Sequence, residues 1–328
     1  MIARSPIALP TFAADVADGL LSQPRSLPCK LFYDSAGSAL FEEITRLPEY
    51  YLTRAELEIL RARGADIAAA AGSGITVVEL GSGTAAKTCT LLHGISRRQM
   101  RVPYFPVDIS PAALTVARQR VEEQCPQVSA HPVVADFSEG FTFLRNIPGR
   151  KLVLYLGSSI GNFDPEPAAQ MLTQIRAQLA PGDALLLGTD LVKTESILVP
   201  AYDDAQGVTA QFNKNILRRL NRELGANFDL EYFRHIARWN PAPSRMEIFL
   251  ESLRAQTVTL RTLGLRLPFA AGERIHTENS YKYTLPMVED LFAAAGFKRT
   301  ETWFDVRGWF ALHLAHIDQL ESEIRVGK

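Results

Sequence analysis

Apolar positions along the chain gather into short β-branched runs separated by longer amphipathic stretches. Residues 75–80, Ile-Thr-Val-Val-Glu-Leu, form one such run and end in a Gly-Ser-Gly turn, the pattern of a buried strand. A helix precedes it. Thr53 is placed to cap that helix, Glu56 to reach back as the other half of a capping box, and Gly72 to close it. Further strands are predicted at 104–107, 132–135, 152–156 and 184–187, with helical stretches between most of them. One helix opens at Ser110-Pro111, a cap followed by proline at the first helical position. Another covers roughly 167–179 and stops before Pro181-Gly182. Such alternation predicts a mostly parallel sheet with crossover helices.

Two features break this rhythm. A helix over 287–295 ends at Gly296, and strand-like stretches at 297–304 and 309–316 follow, joined by Asp305-Val306-Arg307-Gly308 as an antiparallel hairpin. Before that helix, residues 193–282 make an excursion far too long for a βα connection. It carries a helix near 205–224 and strands near 232–239, 245–250 and 257–262. The expected organisation is therefore two domains. One is formed by 1–57 with 193–282, the other by 58–192 with 283–328.

Composition narrows the field without choosing a function. Apolar residues make up 47% and charged residues 22% of the 328, ordinary for a globular protein. Thirty-five basic against 36 acidic residues leave no field favouring nucleic acid or an anionic membrane. No apolar run reaches the length of a span, and Met1-Ile2-Ala3-Arg4-Ser5-Pro6 does not form a signal peptide. Cys29, Cys89 and Cys125 are few and unclustered, which fits a reducing cytoplasm. His313 and His316 lie in an alternating apolar stretch that would turn them to opposite faces, so no metal site is expected. A monomer acting on a small molecule is the expected state.

The candidate chemistry lies at the strand ends. Gly81 and Gly83 in Glu79-Leu80-Gly81-Ser82-Gly83-Thr84 let backbone approach a ligand closely, though a glycine pair alone also suits an ordinary turn. Ala86 stands where a third glycine would complete a nucleotide fingerprint. Glu79 would repel a pyrophosphate but can bind the ammonium of a methionine moiety. Asp108, at the end of the next strand, can accept both hydroxyls of a ribose or serve as a carboxylate at the start of a helix. After the third strand, Asp136 can accept from an adenine amino group and Phe137 can offer its ring face. Together these ends suit S-adenosylmethionine better than a nicotinamide cofactor. The terminal hairpin agrees, since a parallel sheet finished this way resembles class I, Rossmann-like α/β methyltransferases.

More specific motifs lie outside the glycine loop. Phe32-Tyr33-Asp34-Ser35-Ala36-Gly37-Ser38 and Leu40-Phe41-Glu42-Glu43-Ile44-Thr45 run into Leu47-Pro48-Glu49-Tyr50-Tyr51 and Thr53-Arg54-Ala55-Glu56. Lys87-Thr88, Gly157-Ser158-Ser159-Ile160-Gly161-Asn162-Phe163 and Thr277-Glu278-Asn279-Ser280-Tyr281-Lys282-Tyr283 complete the set. In these the chain resembles the histidine-specific Nα-methyltransferases of ergothioneine biosynthesis, over nearly its whole length beyond the first twenty or so residues. The resemblance implies that Gly81, Lys87, Asp108, Asp136 and Phe137 contact the cofactor, and that Tyr33, Tyr51, Asn162, Tyr202, Glu278 and Ser280 line the amino-acid pocket. It also implies a second α+β domain built from the N-terminal region and the insertion.

That pocket is chemically sensible. Tyrosine hydroxyls and an asparagine amide can hold a carboxylate and an amine without a competing formal charge. Glu278 and Ser280, two apart, share a face if extended and suit the two nitrogens of an imidazole. By themselves Glu278 would also fit a solvated acid, Asn162 a turn residue and Tyr51 a packing residue. Met246 leads a strand where the resemblance places a residue against the substrate ring. The expected reaction is direct methyl transfer to the α-amine of histidine, repeated three times to hercynine, with Asn162 and Tyr202 as the catalytic pair. A methyltransferase of another amine such as tryptophan, and a non-catalytic sensor, are the alternatives. Glu278 weighs against an indole, whose single N–H would return little for desolvating a carboxylate.

Overall fold

A computed structural model describes residues 9–317; the signal-peptide reading of residues 1–6 lies outside the described residues. The chain forms two compact units, one of residues 9–51 with Lys193–Tyr281, the other of Leu52–Val192 with residues 282–317.

The second unit is built on one mixed sheet. Its strands are β1 (Ile75–Leu80), β2 (Val102–Asp108), β3 (Val128–Ala130), β4 (Arg150–Tyr155), β5 (Ala184–Asp190), β6 (Phe297–Phe304) and β7 (Phe310–Ile317). They lie in the order β6-β7-β5-β4-β1-β2-β3, with the short pair Val133–Val134 also on β2. β1 to β5 run parallel, whereas β7 pairs antiparallel with both β5 and β6. This is the α/β arrangement of class I methyltransferases. Every residue of β1 and of β5 is buried. Strands hidden on both faces require helices on both sides of the sheet. Those helices are α1 (Leu52–Ala71), α2 (Thr88–Ser96), α3 (Pro111–Gln124), α4 (Pro165–Arg176) and α5 (Leu285–Ala295), with α1 packed on α2 and α4 on α5. Ser110 caps α3 by accepting from the Ala113 amide at 3.3 Å, and Thr284 caps α5.

Strand order reverses at β1, whose neighbours are β2 and β4. In such sheets the ligand crevice lies beyond the carboxyl ends of the strands at this switch point. Here those ends carry the glycine loop after β1 and the Gly157–Asn162 turn after β4.

The other unit has a sheet ordered Arg25–Ser26, Arg274–Tyr281, Arg245–Ser252, Phe233–Asn240 and a separate hairpin of Gln256–Leu260 with Leu265–Phe269. The helix Ser35–Ile44 packs on Val208–Leu224. The Phe32–Gly37 motif has a clear physical basis. Asp34 caps the helix by accepting from the Gly37 amide at 2.8 Å, and also holds Asn215 at 2.8 Å and Arg222 at 2.7 Å. A side chain at Gly37 would meet the Phe32 carbonyl at 1.8 Å, so only glycine fits that turn.

Two expectations shift. The first join falls at Tyr51/Leu52 rather than after 57, because α1 buries Ala55, Glu56, Ile59 and Leu60 in the sheet-bearing unit. The helix starts at Leu52, which puts Thr53 inside it. Glu56 turns inward to Lys87 and Gly157 instead of back to the helix start. His313 is fully buried, bonded to Thr189 at 2.9 Å and Thr302 at 3.1 Å, and burial lowers its pKa to about 3; His316 is half-buried.

Candidate functional site

The candidate cofactor residues lie at the ends of β1 and β2. Gly81 takes φ +68°, and side-chain atoms added at Gly81 or Gly83 would meet nothing within 4 Å, so the loop backbone borders open space. Asp108 fixes that loop. Its Oδ2 accepts from the Gly83 amide at 2.9 Å and its Oδ1 from the Ser110 amide at 2.9 Å. The Ile109 amide also donates to this carboxylate, which still has capacity to accept from a ligand hydroxyl. Register pairing sets Asp108 beside Val134, and the Ala135 amide donates to the Asp108 carbonyl at 3.1 Å. Asp136 and Phe137 therefore emerge next to Asp108, and the Phe137 ring stacks on Phe141 at 5.4 Å.

Ser82 Oγ, in the glycine loop, is buried with no hydrogen-bond partner among the described residues. A buried hydroxyl left so is costly, and it signals a polar group expected at the loop. With the open glycine backbone and the acids at two strand ends, these residues fit S-adenosylmethionine.

Glu79, expected to face the methionine ammonium, lies beneath the loop at 3% exposure. Thr88 donates to its Oε1 at 2.6 Å and the Tyr104 hydroxyl to its Oε2, so a carboxylate on a doubly buried strand finds its donors inside. Burial raises its pKa from 4.5 to about 7, against the opposing hydrogen bonds of Thr88 and Tyr104 and the Lys87 charge. A raised carboxyl pKa gives stability that is full below pH 4.5 and is lost as pH climbs through about 7. Glu79→Gln keeps an acceptor for Tyr104 and a donor for Thr88, so its unfolding midpoint in urea should fall less across that window than the parent's. An equal fall in both proteins would count against this assignment.

Lys87 ion-pairs with Glu56, and a side-chain carbon at Gly157 would lie 3.6 Å from its Nζ. The turn after β4 holds two residues in left-handed conformation, Gly157 (φ +75°) and Ser158 (φ +57°). Ser158 carries this strain because its hydroxyl accepts from the Asp190 amide at 2.8 Å. Asn162 ends this turn and is half-buried.

The expected amino-acid residues other than Asn162 belong to the other unit. The Tyr202 and Ser280 hydroxyls are hydrogen-bonded at 2.8 Å. Glu278 lies two residues before Ser280 on the strand Arg274–Tyr281, opposite Ile248, while Met246 lies opposite Ser280 and is fully buried. Tyr33 packs edge-on against Phe41 at 5.8 Å, Phe41 against Tyr50 at 6.2 Å, and Tyr50 against Tyr202 at 6.4 Å. One aromatic chain thus links Tyr33 to Tyr202. Tyr51 is buried, and its hydroxyl accepts from Lys193 at 2.8 Å.

Some supporting residues escaped the sequence reading. His235 bonds the Tyr202 carbonyl at 2.8 Å and Asn213 at 2.9 Å, and Asn213 accepts from Thr277 at 2.8 Å. Burial holds the His235 pKa below its usual value. Lys193 and Glu56 also escaped it, although Glu56 stands in a motif already singled out.

Comparison with known proteins identifies the family. Residues 12–317 match the family described as histidine-specific methyltransferase, SAM-dependent. The chain is 47% identical over 301 residues to the histidine N-alpha-methyltransferase of Mycolicibacterium smegmatis, covering 92% of this chain and 93% of that protein. It is 48% identical over 303 residues to the protein of the same name from Mycobacterium tuberculosis, with 92% and 93% covered. Ergothioneine biosynthesis protein 1 of Neurospora crassa is 32% identical over 300 residues, which span 85% of this chain and 32% of that protein. The chain belongs to the family of histidine-specific, S-adenosylmethionine-dependent methyltransferases.

Proposed function

We propose that this protein transfers methyl groups from S-adenosylmethionine to the α-amino nitrogen of L-histidine, and that three rounds yield hercynine for ergothioneine biosynthesis. The observation that carries this reading is near-full-length similarity, at 47–48% identity, to two histidine N-alpha-methyltransferases.

S-adenosylmethionine, when bound, supplies an electrophilic methyl group on a sulfonium. Asp108 would take the ribose hydroxyls, Asp136 and Phe137 the adenine, and Gly81 and Lys87 the methionine portion. On the substrate side Tyr33, Tyr51 and Tyr202 would hold the carboxylate and frame the amine. Glu278 and Ser280 would engage the imidazole nitrogens, and Tyr202 is already linked to Ser280. Asn162 would orient the amine. Only its unprotonated form has a lone pair for attack, so the side chains contribute position and a preorganised polar surface rather than a strong base. The proton can leave to water as the amine equilibrates. Transfer stops at the third methyl group because a quaternary nitrogen has no lone pair.

Glu278 supports histidine over tryptophan. Two ring nitrogens can use both the carboxylate and the Ser280 hydroxyl, while an indole presents one donor. Mass spectrometry of histidine incubated with the protein and S-adenosylmethionine should show successive gains of one, two and three methyl groups on the α-nitrogen. Methylation confined to a ring nitrogen would contradict this reading, and tight cofactor binding without any transfer would favour a sensor.

A further inference from the structure

Glu56 has no solvent exposure, and its carboxylate is gripped from more than one element of the sheet-bearing unit. Oε2 takes the ammonium of Lys87, just beyond the glycine loop. Oε1 accepts the amide of Gly157 at 2.7 Å, at the start of the turn that ends in Asn162. The same oxygen would lie 2.6 Å from a side-chain carbon at Gly188, in the middle of β5. A glycine inside a central strand weakens the strand, and here it leaves room for the carboxylate.

Both groups facing Glu56 are donors. A carboxylate accepts from both at once, whereas an amide of the same shape would turn its NH2 toward one of them. The residue therefore does more than fill space. It joins the two loops that flank the switch point of the sheet.

We propose that Glu56 is a positioning residue for methyl transfer, holding the Lys87 ammonium at the cofactor loop and the Gly157 amide beneath the Asn162 turn with one carboxylate. Through it, binding of the anionic methionine carboxylate at Lys87 is coupled to the placement of Asn162. The proposal rests on the reading of Lys87 as a cofactor contact.

The test is a double-mutant cycle on Glu56→Gln and Lys87→Met, read by calorimetric affinity for S-adenosylhomocysteine, with kcat and the histidine KM measured alongside. Each single variant should weaken S-adenosylhomocysteine binding about 10-fold, and the double variant should be little worse than either, because the two side chains act as a unit. Glu56→Gln should also lower kcat, since the Gly157 amide or the ammonium loses its acceptor, while Glu56→Asp should restore part of the affinity. Circular dichroism and the thermal midpoint check folding. If Glu56→Gln does not fold, the double variant, in which neither charge is left unpaired, is compared with Lys87→Met instead; a large further loss of S-adenosylhomocysteine affinity in it overturns the proposal. Additive losses, or a lowered thermal midpoint with unchanged affinity, would reduce Glu56 to a structural strut and overturn it as well. Unchanged affinity in Lys87→Met would sink the reading of Lys87 and this proposal with it. A loss in Lys87→Met but none in Glu56→Gln would sink this proposal alone.

Discussion

Replacing Asn162 by alanine should lower kcat for histidine by about 100-fold, the scale of rate loss when a reacting atom is misplaced by roughly 1 Å. Asn162 ends a turn whose backbone is fixed by the left-handed Gly157 and Ser158, with Ser158 pinned to the Asp190 amide. That backbone scaffold does not depend on the Asn162 side chain, so truncation should leave the turn intact. Binding of S-adenosylhomocysteine should change by less than about 3-fold, because Gly81, Asp108 and Phe137 remain. Steady-state kinetics with calorimetry separates the two effects. A parallel loss of cofactor affinity would mean the turn had collapsed, and unaltered kcat would remove Asn162 from the reacting centre.

Glu278→Ala should raise the histidine KM by about 10- to 100-fold, the range for losing a charge-assisted hydrogen bond to a ring nitrogen. The strand carrying Glu278 is held by ladder pairing to Arg245–Ser252, and Ser280 by its bond to Tyr202, so the pocket wall should survive the change. Cofactor affinity should stay within about 2-fold, as the residues assigned to the cofactor lie in the other unit. Calorimetric titration with histidine and with S-adenosylhomocysteine reads both. Equal losses would place Glu278 in the fold of its unit and not in recognition of the ring.

The sheet-bearing unit was legible because its signals are local. Residues 75–80 and 297–304 are strands where alternation and glycine punctuation place them. The stretch predicted as 132–135 shrinks to Val133–Val134, and Val128–Ala130, an unpredicted strand, precedes it, with Pro132, which has no amide to donate, between them. The strand Arg274–Tyr281 was not read as one. Its residues Thr277-Glu278-Asn279-Ser280 are polar, and a register shift between His276 and Glu278 breaks the period of two that would have exposed it. Leu265–Phe269 was hidden by Pro268.

The candidate site divides in the same way. Asp108 and Asp136 stood out because each follows a recognisable strand, and register pairing does set those ends side by side. The contacts of Lys193 with Tyr51, of His235 with Tyr202 and of Glu56 with Gly157 join residues far apart in sequence. No local pattern announces such pairs. Glu56 was in plain view but fitted a capping box, a local explanation that its burial against two donors displaced.

The central claim is that the acceptor is the α-amine of histidine. The purified protein incubated with methyl-labelled S-adenosylmethionine and an equimolar mixture of the twenty amino acids tests it most directly, with every product resolved by mass. Histidine alone should gain label, ending with three methyl groups on its α-nitrogen. Label accumulating on tryptophan or another amino acid while histidine stays unmodified would contradict the account.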